Sequence, residues 1–507
     1  MKAVTFSDGA MPLVSVNGGG RRVLIVDLNN FSTFPTLAVG IIVAALRNSG
    51  NAVKLISPLA NDVPAAEREH AETIVDHYQR RLHLSTLAPA RGIRDAARSL
   101  RSWWRERPHP RVVAETVLAL EEQPDVLLLS AYLQHFPTVQ ALGRVAARRG
   151  IPLILGGPMF NLPNTASAWR AIPGLTAIVG AEVDLNISEI VEAACNGDDL
   201  TAFPGVTLPN GMQSKAAPPL RALDLTPLPD FTDFPWDRYR MHVIPLMASR
   251  GCQWNKCNFC SDIISASGRT YRNRSVESVL HEMREQSRRH RSKDFIFLDL
   301  KLNSNPNLLR GIVENVQSNI RGAQWIGTVH VDERADNGLS RRELKLAVAA
   351  GMRRISFGLE SGSQRLLDAM SKGSTVEGNS EFIRNAFDVG LSVRCTMFKG
   401  YPGETAADLE LSADFLERHL PYIDRVRFND FTLLDGTELS DQIHANPEAF
   451  PNFSVSQARP RRAQSLYVNR GGNGAAYRHA KSRVLRAVFE INRRKIRSSA
   501  RVFDGLM

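Results

Sequence analysis

Short runs of branched apolar residues alternate with helical segments along most of this 507-residue chain. The run Val23-Leu-Ile-Val26 predicts a buried strand, residues 35–47 predict a helix, and Val53-Lys-Leu-Ile56 predicts the next strand. Strand, helix and strand within roughly 35 residues form a βαβ unit, which pairs its strands in parallel. The alternation therefore predicts an α/β protein, and the chain length predicts two or three domains.

The first part of this alternation predicts an open, doubly wound sheet. After a charged helical stretch, strands are expected at 126–129, 151–155 and 176–179, with helices between them. We therefore predict a Rossmann-like domain over residues 21–215, with a helical insertion at 59–115 and a flexible leader at 1–20. Ligands of such sheets bind beyond the carboxyl ends of the strands. This directs attention to the segments 27–34, 130–135 and 156–160.

A stretch rich in proline and aromatic residues, 216–240, predicts a domain linker. Six further strands alternate with helices beyond it, which fits a barrel better than another open sheet. We predict a partial (β/α)6 barrel of the TIM type over residues 241–440, followed by a basic, mostly helical C-terminal region at 441–507. Barrels of this kind place their chemistry at the carboxyl ends of the strands. Asp299, Glu360 and the segment 400–404 all follow predicted strands, so we expect them to meet at one mouth.

Three of the five cysteines, Cys252, Cys257 and Cys260, lie on the loop after the first strand of that barrel. Three thiolates can hold three irons of a cubane iron–sulfur cluster, and without a fourth cysteine nearby one iron stays open to a ligand. A structural zinc site is the alternative, but zinc needs four ligands and the chain has no second Cys/His pair. A disulfide is disfavoured by the close spacing and by the absence of a secretory signal. The spacing therefore favours a cluster.

The formal charge of +11 comes largely from arginines in residues 91–111 and in the tail after Arg459. No recognised nucleic-acid motif accompanies them, so solvated helix faces are the simpler explanation. No apolar run reaches the roughly 20 residues that a membrane span requires, and no signal peptide is evident. We therefore expect a cytoplasmic protein without membrane contact.

In combination, the motifs resemble those of radical S-adenosylmethionine (SAM) enzymes that carry an N-terminal cobalamin-binding domain. The barrel motifs are Arg250-Gly-Cys252 with the cysteine triplet, Phe297-Leu-Asp-Leu300 through Asn305-Pro306, Gly358-Leu-Glu-Ser-Gly-Ser363 and Gly400-Tyr-Pro-Gly-Glu404. The first domain contributes a proline-and-aliphatic first helix, Ser130 and Gly156-Gly-Pro158. The resemblance implies that SAM binds the open iron of a [4Fe–4S] cluster and that one electron converts it to a 5′-deoxyadenosyl radical. That radical would take a hydrogen atom from the substrate.

The resemblance also implies a role for each matching residue. Cys252, Cys257 and Cys260 would ligate the cluster, while Phe259, Glu360, Ser361, Gly400, Pro402 and Gly403 would contact SAM. Ser130, Gly156 and Gly157 would contact cobalamin. Each has a structural alternative: Phe259 as a core residue, Glu360 as a surface or capping carboxylate, and the paired glycines as a simple tight turn.

Two departures from the family pattern change these expectations. Four residues separate the first two cysteines where three are common, which predicts a reshaped loop near the substrate. The segment Asp27-Leu-Asn-Asn-Phe-Ser-Thr also lacks the histidine that methionine-synthase-type domains place on cobalt. Either cobalt has no protein imidazole here or the domain no longer binds cobalamin. His135 lies near the same face but is not expected to be the axial ligand.

If cobalamin binds, the implied reaction is methylation of an unactivated carbon in a small-molecule or peptide substrate. A flavodoxin- or ferredoxin-type reductant would supply the electron. Two alternatives stay open: a radical SAM enzyme that rearranges or cyclises its substrate above a scaffold-only first domain, and an RNA-binding protein with a basic tail and a structural cluster.

Overall fold

A first sheet of six strands occupies the amino-terminal part of the described chain. The structure is a computed structural model that describes residues 20–28, 33–63, 69–87, 92–97, 99–100, 104, 107–261, 264–265, 268–269 and 271–506. The strands are β1 (Arg22–Asp27), β2 (Ala52–Ile56), β3 (Val126–Ser130), β4 (Leu153–Gly156), β5 (Leu175–Val179) and β6 (Val206–Thr207). Their order is β2-β1-β3-β4-β5-β6, parallel except for β6. The predicted leader lies outside the described residues up to residue 19.

The order of the first sheet reverses between β1 and β3, where Asp27 pairs with Ser130 at the carboxyl ends. This reversal is the point at which ligands of doubly wound sheets bind. Part of the predicted ligand segment after β1, residues 29–32, lies outside the described residues. The helices of this part are α1 (Leu37–Asn48), α2 (Ile74–His83), α3 (Pro110–Glu121), α4 (Phe136–Arg149), α5 (Pro163–Trp169) and α6 (Ile187–Asn196).

Successive residues of β1 enter two different apolar cores, because neighbouring side chains of a strand point to opposite faces. Leu24 and Val26 belong to a core confined to the first sheet. Val23 and Ile25 belong to a core that continues into the second sheet through residues such as Ile244. The two sheets are therefore joined by shared packing.

A second sheet, again of six strands among the described residues, is parallel throughout and follows chain order. Its strands are β7 (Val243–Leu246), β8 (Asp294–Phe297), β9 (Gln324–Val329), β10 (Met352–Glu360), β11 (Ser392–Lys399) and β12 (Arg425–Asp430). The helices between them are α7 (Val276–His290), α8 (Pro306–Asn319), α9 (Arg341–Ala349), α10 (Gln364–Ala369), α11 (Val376–Asp388) and α12 (Ala406–His419). The predicted α/β class with parallel sheets is confirmed. The barrel size and the domain limits stay predictions.

Buried arginines lie near the amino ends of β10, β11 and β12: Arg354, Arg394 and Arg425. Glu69, from the insertion, accepts hydrogen bonds from Arg354 Nη2 at 3.1 Å and from Arg394 Nε at 2.5 Å. The carbonyls of Phe503 and Leu506 accept from Arg354 Nη1 at 3.3 and 3.1 Å. The end of the second sheet opposite the cysteine loop is thus closed by segments from distant parts of the chain.

The C-terminal region contains strands as well as helices. An antiparallel sheet of order β13-β15-β14 is formed by β13 (Leu433–Leu434), β14 (Phe453–Arg459) and β15 (Gln464–Asn469), accompanied by α13 (Glu438–Ala445) and α14 (Ala475–Asn492). Residues 453–459 and 464–469 form strands within a region that was expected to be mostly helical. Helix α14 packs on α12, where Arg483 pairs with Glu410, Asp414 and Glu417. None of the described helices is long and apolar enough to cross a membrane.

Candidate active site

The cysteine loop leaves β7 and is fastened at its start by Asp299, which follows β8. Asp299 is buried and accepts hydrogen bonds from Ala248 N at 2.9 Å and from Ser249 Oγ at 2.5 Å. Burial raises the pKa of Asp299 to about 6, against the lowering effect of these donors. Asp299 therefore fixes the direction in which the chain leaves β7 and enters the cysteine loop.

The far end of the loop is held by the connection after α10. Asn258 Nδ2 donates to Ala369 O at 2.9 Å, and the Tyr401 hydroxyl lies 3.1 Å from Asn258 Oδ1. Trp254 Nε1 donates to Ser371 O at 2.8 Å. Gly373, at φ +64°, leaves room for the Trp254 ring, because a Cβ atom there would lie 1.8 Å from it. The longer spacing between the first two cysteines thus carries a tryptophan that packs on the β10 side of the site.

The three cysteines have free thiols, with Cys252 and Cys257 buried and Cys260 half-buried. No three Cys, His, Asp or Glu side chains among the described residues are arranged closely enough to hold a metal ion in this structure. The donor set nevertheless suits an iron–sulfur cluster. Burial raises the pKa of Cys257, but the ammonium groups of Lys372 and Lys301 oppose that effect and favour the thiolate. The remaining cysteines do not complete the set, because Cys395 is in the core and the Cys195 thiol contacts Asp125 O in the first domain.

Glu360, at the end of β10, forms a buried ion pair with Lys372. Lys372 Nζ lies 2.7 Å from Glu360 Oε1, and both side chains are less than 10% exposed. Gly358 makes room for the pair, since a Cβ atom there would lie 2.1 Å from Glu360 Oε1. Burial by itself lowers the pKa of Lys372, but Glu360 and Cys257 outweigh burial and keep it above its ordinary value. Glu360 is therefore an interior carboxylate within electrostatic reach of Cys257, and Lys372 is a partner that the sequence reasoning missed.

Two further groups follow strand ends and were also missed. Lys301, after β8, contacts His330 Nδ1, and His330 is the first residue after β9. Burial, then the neighbouring Lys372, lowers the pKa of Lys301, while burial and Lys301 lower the pKa of His330 well below its ordinary value. The ring of His330 lies 5.9 Å from that of Trp254. His330 directly follows an apolar strand and Lys301 is the fourth residue after one, which is a local signal for a position at a strand end but not for contact between the two side chains.

The structure places Phe259 and Ser361 in packed surroundings. The Phe259 ring lies 5.2 Å from that of Phe398, in an aromatic cluster with Tyr401 and Phe431. Ser361 Oγ accepts a hydrogen bond from Ser363 N at 3.1 Å and lies 3.2 Å from Ser412 Oγ. The proposed contacts of both with SAM stay predictions, because their present partners are protein groups.

The turn after β11 is held from the C-terminal region. Gly400 N and the Tyr477 hydroxyl both donate to Glu404 Oε2, at 2.7 and 2.5 Å, and Asn469 Nδ2 donates to Gly400 O at 3.0 Å. Gly400 and Gly403 have positive φ angles of +88° and +82°. Burial raises the pKa of Glu404 to about 7. Pro402 is buried and Gly403 is exposed, so this turn presents mainly backbone at its surface.

The glycines after β4 in the first sheet differ from each other. A Cβ atom on Gly157, at φ +152°, would lie 2.0 Å from Ala131 O, so close strand packing requires this glycine. A Cβ atom on Gly156 would have Val179 O, at 3.9 Å, as its nearest neighbour. Gly156 pairs with Ser130 of β3, and both are partly exposed. The tight-turn interpretation therefore suits Gly157, while Gly156 and Ser130 leave a surface that a ligand can approach.

His135 is unsuited to bind cobalt as it stands. Its Nδ1 accepts a hydrogen bond from Tyr132 N at 3.2 Å, which places the proton of the neutral ring on Nε2. Burial, with help from Arg462, lowers the pKa of His135 to about 4. The C-terminal hairpin that carries Arg462 also docks here, since Trp169 Nε1 donates to Arg461 O at 3.1 Å.

Ion pairs connect the two strand-end edges. Arg250, beside Cys252, pairs with Asp184 and with Glu182, which follow β5 of the first sheet. Arg272 pairs with the same Glu182 at 2.7 Å. The base of the cysteine loop is thus fixed to the carboxyl edge of the first sheet, so ligands at the two edges would face each other.

Comparisons with known proteins agree with this geometry. Residues 246–416 match the Radical SAM superfamily. The match runs from the end of β7 into α12 and includes the cysteine loop, Glu360 and the turn at 400–404. The resemblance inferred from the sequence is confirmed, and this superfamily implies a [4Fe–4S] cluster and SAM.

Three other proteins are similar to this chain over longer stretches, one in sequence and two in structure. An uncharacterized methyltransferase of Pyrococcus horikoshii is 25% identical over 331 residues, which cover 64% of this chain and 70% of that protein. The cobalamin-dependent radical SAM enzyme OxsB shares the fold with a TM-score of 0.65 and 15% identity, covering 88% of this chain and 64% of its own. The radical SAM methyltransferase TsrM from Kitasatospora setae shares it with a TM-score of 0.64 and 16% identity, covering 92% and 89%. The chain therefore spans under two thirds of OxsB but most of TsrM.

Proposed function

We propose that this protein is a cobalamin-dependent radical SAM methyltransferase acting on an unactivated carbon. When bound, the cluster and SAM supply one-electron cleavage of the sulfonium and removal of a hydrogen atom from the substrate. The observation that carries the proposal is the buried Glu360–Lys372 pair, both members of which act electrostatically on Cys257. A carboxylate and an ammonium beside the cysteines match the two charges of an amino acid.

Glu360 and Lys372 would bind SAM by exchanging their mutual ion pair for contacts with the ligand. Glu360 would accept hydrogen bonds from the amino group of SAM, and Lys372 would donate to its carboxylate. Both side chains are buried, so water competes weakly for these contacts. The exchange leaves no buried charge without a partner.

Cobalamin would bind at the carboxyl edge of the first sheet. Ser130 and Gly156 line the accessible part of that edge, and the Arg250 ion pairs hold it against the cysteine loop. The engaged Nδ1 atom of His135 and the absence of a histidine directly after β1 favour a cobalt without a protein imidazole. The fold shared with OxsB and TsrM and the methyltransferase from Pyrococcus horikoshii agree with this proposal.

The test is anaerobic reconstitution with iron, sulfide and hydroxocobalamin, followed by turnover with SAM, a flavodoxin-type reductant and candidate substrates. Products heavier by one methyl group, together with S-adenosylhomocysteine and 5′-deoxyadenosine, are expected. Gly156→Leu should lower cobalamin retention, whereas Leu411→Ser on the outer surface of α12 should not. SAM cleavage without retained cobalamin would refute the methyltransferase proposal and favour the scaffold-only first domain.

The RNA-binding alternative receives less support. Arginines of the tail are engaged within the protein: Arg483 pairs with three carboxylates of α12, and the Arg497 guanidinium stacks 3.7 Å from the Phe387 ring. Helix α14 buries Val484, Leu485 and Val488. These contacts favour plain packing of the tail.

A further inference from the structure

The helical insertion of the first domain exposes an apolar surface that the proposed active site does not use. Half of the large apolar side chains that are exposed in the described residues lie between residues 74 and 104. We call this set the insertion face: Ile74, Val75, Tyr78, Leu82, Leu87, Ile93, Leu100 and Trp104. Monomeric soluble proteins seldom leave large apolar patches uncovered, and those that exist commonly bind something.

Helix α2 shows the unusual orientation of this surface. Ile74, Tyr78 and Leu82 are four residues apart and therefore share one side of the helix, and they are 61%, 63% and 48% exposed. The residue that α2 buries is His77, whose ring lies 4.7 Å from that of Phe489 on α14. A surface helix normally buries its apolar stripe. Helix α2 docks through a polar residue and turns its apolar stripe outward.

Five of the eight residues of the insertion face, from Leu82 to Trp104, lie in a strongly basic stretch of the first domain. Residues 81–107 contain seven arginines and no lysine, against Asp95 and Glu106. This stretch alone supplies nearly half of the formal charge of +11. Trp104 is 69% exposed, and the guanidinium of Arg107 lies 5.9 Å from its ring centre. An exposed tryptophan with an arginine beside it thus lies in a stretch of sequence that is rich in arginine.

We propose that the insertion face binds an anionic lipid surface, with its apolar side chains at the boundary between headgroups and acyl chains. Interfacial helices combine such an apolar side with a basic one, and anionic headgroups attract each nearby arginine. The proposed contact is peripheral. This proposal departs from the expectation of no membrane contact.

An acidic protein partner, such as the electron donor, explains this surface less completely. Weak electron-transfer encounters use small interfaces steered by charge, for which arginines suffice. Such encounters do not explain why the apolar stripe of α2 is exposed. Lipid accounts for the charge and the apolar side chains together.

The test measures binding of the full-length protein to vesicles by cosedimentation. Vesicles of mixed phosphatidylglycerol and phosphatidylcholine should bind the protein, and vesicles of phosphatidylcholine alone should bind it at least tenfold less. The triple variant Ile74→Ser, Tyr78→Ser, Leu82→Ser should bind anionic vesicles about tenfold less or weaker still, because it removes three interfacial side chains. Leu411→Ser is the matched control, since Leu411 is 48% exposed like Leu82 but lies on α12.

Three results would overturn the proposal. The first is no sedimentation with anionic vesicles at low salt. The second is vesicle binding that salt of about 1 M abolishes and the triple variant leaves unchanged, which would assign adsorption to the arginines alone. The third is a wild-type protein that does not bind vesicles but is a dimer in analytical ultracentrifugation, while the triple variant is a monomer. That result would assign the surface to a second copy of the chain. Unchanged SAM cleavage in the triple variant would show that this surface is separate from the active site.

Discussion

Glu404 should make the stability of the protein fall as pH rises from about 4.5 to about 7. Burial raises the pKa of this carboxyl from 4.5 to about 7 in the folded protein. The folded state therefore holds a proton that the unfolded state has released, so the stability present below the unfolded pKa is lost towards the folded pKa. At 1.36 kcal/mol per pKa unit, the loss approaches about 3 kcal/mol.

Glu404→Gln isolates this contribution. The amide has the shape of the protonated acid, and its oxygen can accept the hydrogen bonds from Gly400 N and the Tyr477 hydroxyl. We expect the variant to match the wild-type protein near pH 4.5 and to exceed its free energy of unfolding by about 3 kcal/mol above pH 7.5. Urea denaturation of anaerobically purified protein at several pH values measures the difference.

The difference in free energy of unfolding between the variant and the wild-type protein cancels the contributions of other titrating groups. Asp299 is one of these groups, since burial raises its pKa to about 6. A stability difference that does not change with pH would refute the reasoning, because it would show that Glu404 titrates alike in both states. A variant that is less stable at every pH would show that the amide cannot replace the carboxyl between Gly400 and Tyr477.

Three further predictions concern the candidate active site. Asp299→Ala removes both acceptors at the base of the cysteine loop, so iron content after reconstitution should fall while the circular dichroism spectrum is retained; full iron content would contradict this role. Lys372→Met leaves Glu360 buried without its partner, so it should destabilise the protein by about 3 kcal/mol. The double variant Glu360→Gln, Lys372→Met should recover that stability. It should not recover SAM affinity, which calorimetry measures. Recovery of both would remove the pair from SAM binding. Gly373→Ala should lower the free energy of unfolding by about 2 kcal/mol, because its methyl group overpacks against the Trp254 ring. In a Trp254→Ala background the same substitution should cost much less. An equal cost in both backgrounds would point instead to backbone strain at φ +64°.

Strand–helix periodicity sufficed to predict both parallel sheets, because buried parallel strands read as short apolar runs. The hairpin at 453–469 escaped prediction since its outward side chains include arginine and few of its residues are buried, so little apolar alternation marks it. The cysteines and Glu360 were accessible through motif spacing. Lys301, Lys372 and His330 were not, because only the folded chain brings a lysine that follows β8 and a lysine that follows α10 towards the same thiol, that of Cys257.

Partners that lie far apart in sequence also limited the prediction of individual roles. Asp299 was expected at the mouth, but its acceptance of hydrogen bonds from Ser249 depends on the parallel pairing of β7 with β8. Glu404 belongs to the segment that was expected at the mouth, and its carboxylate accepts a hydrogen bond from Tyr477, 73 residues further along. Side-chain direction at strand ends follows from tertiary packing, which local sequence does not encode.

The buried arginines at the amino ends of β10, β11 and β12 bear on the order in which a ribosome-bound chain can fold. Arg354 depends on the carbonyls of Phe503 and Leu506, 149 and 152 residues downstream, and shares Glu69 with Arg394. An arginine buried without its acceptors is strongly destabilising. Until residues 503–506 leave the exit tunnel, β10 therefore lacks what it needs to bury that charge. The second sheet should accordingly complete its folding only once residues 503–506 have emerged, and chains cut near residue 500 should accumulate as incompletely folded protein.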